Sequence, residues 1–114
     1  MIAKVVVTAL LAALFTFSSL IKLVGVRQSL EIRDHLGVKP AQWRMIGSVE
    51  LAGVAGVLAG LAWAPIGVAA AVGLALLMLG AIGFHVRASD SIADTAPSVI
   101  GLGLAVATAL LQSA

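Results

Sequence analysis

The sequence predicts an all-α protein: a four-helix transmembrane bundle with a short interfacial helix or loop between the first and second helices. Three observations predict it. Of the 114 residues, 61% are hydrophobic and 11% charged, and the mean hydropathy is +1.16, whereas soluble domains run at about 45–50% apolar and about 25% charged. Four stretches each approach the roughly 20 apolar residues that carry a helix across about 30 Å of hydrocarbon, where every backbone group must be satisfied within the segment. Few residues are left for anything else, so residues 1–114 read as a single four-helix transmembrane domain.

The first helix is expected over about 2–26, broken only by Lys4 near one end and Lys22 near the other. No small-residue cleavage site precedes a soluble domain, so it reads as a retained span rather than a signal peptide. The polar stretch Arg27 to Lys39 follows, in which Arg27, Glu31 and His35 stand four residues apart and Gly37 and Pro40 punctuate the end. That spacing predicts a short interfacial helix or an ordered loop. The second helix is expected over about 41–63 and the third over about 65–86, joined by a tight hairpin at Trp63-Ala64-Pro65, with Pro65 in a first turn that does not need its N–H. Trp43 and Trp63 stand near opposite ends of helix two, where indoles favour the headgroup region. The fourth helix is expected over about 96–111, capped by Asp94 or Thr95 and with Pro97 in its first turn.

Composition also excludes function classes. There is no cysteine, hence no disulfide relay, thiolate nucleophile or sulfur-built metal site. The net charge of +2 is clustered rather than spread along a basic face, which argues against a nucleic-acid partner. Lys22, Arg27, Arg33, Lys39, Arg44 and Arg87 fall on the side of the first and third loops, and Lys4 alone on the other. The excess of basic residues places loops 27–40 and 88–95 in the cytoplasm and the termini outside a cytoplasmic membrane.

The functional argument rests on polar groups inside the spans. Glu50 lies about nine residues into helix two, roughly 13 Å along its axis, and a carboxylate there must face the bundle and find a partner or a proton. Helix one supplies Lys22 on a polar stripe with Lys4, Thr8, Ser18 and Ser19, beside Leu11 and Phe15; helix three supplies His85. Side chains lean toward the amino end of their helix, so Lys22, Glu50 and His85 are expected to converge in depth. The competing readings are plain ones: a snorkelling lysine, a histidine marking a helix end, serines bonded to their own helix, and a structural ion pair at Glu50. Gly53, Gly56 and Gly60 form a small-residue stripe that reads as packing within the chain, with a homodimer contact as the alternative.

The run Leu14-Phe15-Thr16-Phe17-Ser18-Ser19-Leu20-Ile21-Lys22-Leu23 resembles the first-helix signature of DoxX-like membrane proteins. So does Leu36-Gly37-Val38-Lys39-Pro40 with Trp43, followed by Ile46-Gly47, Glu50-Leu51, Gly53 and Gly60. Gly80-Ala81-Ile82-Gly83-Phe84-His85-Val86-Arg87 with Asp90, and Ala96-Pro97, complete a resemblance covering nearly the whole chain. It implies a four-helix bundle, in a family some of whose members are associated with thiosulfate:quinone oxidation or with membrane complexes handling sulfur and oxidative stress. It also marks Lys22, Glu50 and His85 as the matching intramembrane positions. No haem, flavin or nucleotide motif is visible, a single intramembrane histidine cannot supply bis-histidine haem ligation, and no metal site or cofactor is identified.

Three functions are therefore carried forward. The first is a small-lipophile binder or accessory subunit of a membrane complex, with Lys22, Glu50, His85, Ser18 and Ser19 holding a quinone, lipid or terpenoid head group. The second is an enzyme using Glu50 and His85 as catalytic acid and base on a lipophilic substrate. The third is a proton-coupled small-molecule exporter, against which stands the lack of any acidic residue in helix one.

Overall fold

The computed structural model describes residues 2–114, and the described chain is all-α, with five helices: α1 (Ile2–Val24), α2 (Arg27–Leu36), α3 (Pro40–Ala59), α4 (Ala64–Arg87) and α5 (Ile92–Ser113). Of these α1, α4 and α5 are long and apolar enough to cross a membrane. The stretch expected as the second span is not among the three. Gln42, Arg44, Ser48 and Glu50 lie within the first eleven residues of α3 and dilute its apolar character.

The four long helices lie side by side, α1 against α3 and α5, and α4 against α3 and α5. Register follows from the close contacts. Ser19 meets Gly47 while Thr8 shares Gln112 with Val57, so α1 runs antiparallel to both α3 and α5. Gly53 faces Leu74, Gly56 faces Ala70 and Gly60 faces Gly67, which makes α3 and α4 antiparallel and confirms the glycine stripe as packing within the chain. The core between them is Leu11, Phe15, Val54, Val57, Ala71, Leu74, Met78 and Ala105. Thr8, Leu11, Phe15 and Ser19 all point into it, as the stripe on helix one predicts. The outer surface is the reverse of a soluble protein's, with Leu10, Phe17, Leu76, Val86 and Leu110 more than half exposed. A continuous apolar exterior of that kind is stable in lipid and not in water.

Several boundaries differ from the expected ones. Helix α3 stops at Ala59 rather than near residue 63, because Gly60 is pressed against Gly67 and the chain tightens into three-residue turns, Leu61 N–H to Leu58 and Ala62 N–H to Ala59. The last helix, expected from about residue 96, begins at Ile92. Ser91 is its N-cap, accepting from the Asp94 N–H at 3.1 Å, so neither Asp94 nor Thr95 caps it, and Pro97 lies inside the helix, past its first turn. The polar stretch between α1 and α3 does form a helix, α2. Gly25 and Gly37 bracket it with φ of 82° and 75°, values that a residue without Cβ adopts at low cost. Within α2 Arg27 pairs with Glu31 as spaced, but His35 turns away from Glu31 toward the α4–α5 connection.

Candidate functional site

Two polar clusters stand close to the same end of the fold, and the expected trio is divided between them. The first joins α1 to α3. Lys22 Nζ lies 2.8 Å from Glu50 Oε1, and Ser18 Oγ donates to Glu50 Oε2 at 2.9 Å. The lysine also donates to Ser18 Oγ and sits 5.1 Å from the centre of the Trp43 ring. Ser19 is drawn in separately, donating to the Gly47 carbonyl at 2.7 Å. The local cause is helical spacing: Ser18 and Lys22 are one turn apart on α1, and Gly47 lets α1 approach closely enough for Ser19 to reach its backbone. Glu50 is 1% exposed and its cationic partner 13%. Inside a low-dielectric helix packing such a carboxylate persists only if it is paired: Oε2 accepts from Ser18, and Oε1 lies against the Lys22 ammonium as an ion pair without an aligned hydrogen bond.

Trp43 closes this cluster from the polar side. Its ring is packed inside the protein rather than presented on the outer surface. The indole is 6% exposed, its Nε1 donates to Ser29 Oγ on α2 at 3.0 Å, and Leu36, Val38, Ile46 and Phe84 pack around it. Its place near the start of α3 puts it under α2, whereas Trp63 at the other end is 63% exposed.

His85 does not join Lys22 and Glu50. Its Nδ1 lies 2.6 Å from Asp90 Oδ2, while Asp90 Oδ1 is 2.5 Å from His35 Nε2. One carboxylate thus ties α2 to the end of α4. The aspartate side chain is 7% exposed and His85 13%, but His35 is 55% exposed, so the cluster runs from the packed interior to the surface. Hydrogen bonding to His35, then to His85, holds the Asp90 carboxyl below its ordinary value of 3.8 and outweighs the opposite effect of burial. Asp90 also lines an open groove of about 360 Å³ beside α4 and α5, with Val86, Ile92, Thr95, Val99 and Ile100 among its walls.

Of the sequence candidates, Lys22, Glu50 and Ser18 therefore meet, Ser19 supports them, and His85 belongs to a second cluster. Sequence reasoning missed His35 and Asp90 as its partners. The signal available was the five-residue step from His85 to Asp90 across a helix end, but a contact from His35, fifty-five residues away from Asp90, carries no local signature. Among the described residues no group of three or more His, Asp or Glu side chains is placed to hold a metal ion.

An all-α chain with an apolar exterior and three helices long and apolar enough to cross a membrane defines a small integral membrane protein. It belongs to the DoxX-like family, whose sequence model matches residues 6–108, nearly the whole chain. No curated protein and no solved structure matches it significantly.

Proposed function

We propose that this protein is a four-helix transmembrane bundle of the cytoplasmic membrane that binds a small lipophile, alone or as an accessory subunit of a membrane complex. In this reading α3 is the fourth span, tolerated because its carboxylate is turned inward onto Lys22, and the basic excess keeps α2 and the α4–α5 connection on the cytoplasmic side. The head group of a quinone, lipid or terpenoid is held at His85 and Asp90, and its apolar body lies along Val86, Ile92, Val99 and Ile100. One observation carries this: a largely buried carboxylate, shared by two imidazoles, opens onto an apolar groove. The Lys22–Glu50–Ser18 cluster is closed on itself, so its role here is to hold α1 in register against α3 rather than to touch the ligand.

Native mass spectrometry of protein purified in mild detergent tests the assignment. A co-purified lipophile should be lost from Asp90→Asn and His85→Ala and kept by Glu50→Gln. Loss from Glu50→Gln with Asp90→Asn unchanged would move the head group to the ion pair and end this reading.

A further inference from the structure

We infer a second lipid site, selective for anionic phospholipids, on the face of α4 that no other helix covers. Gly80 and Gly83 lie on that face with open space where a Cβ would project. With Phe84 and Arg87 they line a shallow notch of about 190 Å³, apart from the groove at Asp90. The notch runs along the helix and ends at a guanidinium. Arg87 Nη2 donates to the Leu36 carbonyl at 3.3 Å, and the guanidinium stacks 4.7 Å from the centre of the Phe84 ring. These contacts fix the head group of the side chain but leave it without a carboxylate, so most of its donors remain to be used.

Charge complementarity selects the occupant. Arg27 and Arg33 are paired with Glu31 and Asp34, whereas Arg87 has no acidic partner among the described residues. Lys39 is likewise without an acidic partner and lies two residues beyond Gly37, whose open side faces the Arg87 guanidinium. An arginine held at the last turn of a membrane helix, above an open notch lined by two glycines, matches a phosphodiester with its tail lying over Gly83 and Gly80. A zwitterionic lipid offers the same tail but compensates its own phosphate. The inference depends on α4 crossing a bilayer, and not on the ligand proposed for the Asp90 groove.

The test is retention of lipid by protein exchanged from equimolar phosphatidylglycerol and phosphatidylcholine, read by native mass spectrometry. Wild-type protein should favour phosphatidylglycerol by about fivefold, the ratio expected for one basic side chain at an anionic lipid surface. Arg87→Gln should bring the ratio close to one, and Arg87→Lys should keep part of it, since a point charge replaces the fork. Gly83→Leu should lower retention of both lipids by filling the notch. If Gly83→Leu does not fold, the Arg87 pair still decides. An unaltered preference in Arg87→Gln overturns the site, and displacement of phosphatidylglycerol by millimolar inorganic phosphate reduces it to a bare anion site without a tail groove.

Discussion

Removing either member of the Lys22–Glu50 pair leaves a different orphan behind. Without Lys22 the carboxylate stays 1% exposed in the packed interior, whereas without Glu50 the lysine, already 13% exposed, can extend toward the headgroups. Lys22→Met should therefore cost about 3 kcal/mol, the lower end of what breaking a buried pair costs, and Glu50→Gln distinctly less. Unfolding in mixed micelles measures both, and equal losses would show that the pair is not buried as described. Asp90 makes a prediction about acid. Its folded-state pKa is lowered, so the stability it lends is present above 3.8 and lost as pH falls through the lower folded value. Trp43 reports on it, because its indole is bonded to Ser29 of the helix that Asp90 clasps through His35. In a Trp63→Phe background the Trp43 emission should hold steady down to about pH 4 and shift below it, while Asp90→Asn should show the shifted emission already at neutral pH.

Elements meet most tightly where α3 leaves and α4 begins. A Cβ at Gly67 would stand 1.7 Å from Gln112 Oε1 and 2.6 Å from the Gly60 Cα, so relief requires a backbone to move. A Cβ at Gly53 would meet the Leu74 side chain, Cδ2 at 2.6 Å and Cγ at 2.7 Å, with no backbone among its nearest atoms, so a side-chain shift can relieve it. Gly67→Ala should thus destabilise by about 2–3 kcal/mol and Gly53→Ala by about 1 kcal/mol, read as the difference in thermal midpoints. Gln112 itself bridges three helices, donating to Thr8 Oγ1 at 3.2 Å and to the Val57 carbonyl at 3.0 Å. Nothing in its sequence neighbourhood singles it out, since a glutamine near the end of a helix is ordinarily solvated. The same limit explains the boundaries. Ser91 rather than Asp94 caps α5, a choice between neighbouring residues of similar capping strength that the path of the chain from Asp90 decides. Ala59 rather than residue 63 ends α3 because Gly60 is consumed by packing on α4.

At the scale of the molecule the proposed orientation is open to a direct check, since the chain has no cysteine of its own. A single Gln28→Cys on α2 should react with an impermeant maleimide only from the cytoplasmic side, and Ala62→Cys in the α3–α4 turn only from the outer side; the opposite pattern would invert the topology. Composition and periodicity alone determined that the chain is helical and lives in a membrane, that Glu50 needs a partner, and that helix one keeps a polar stripe inside. Those features are set by transfer free energies and by 3.6-residue spacing, both of which are local to a segment. Which cation reaches Glu50 was decided by how α1 packs on α3, and that His85 instead shares Asp90 with His35 was decided only when α2 folded back toward the end of α4. Contacts between groups more than fifty residues apart depend on how helices rotate and cross, and no stretch of sequence encodes that by itself.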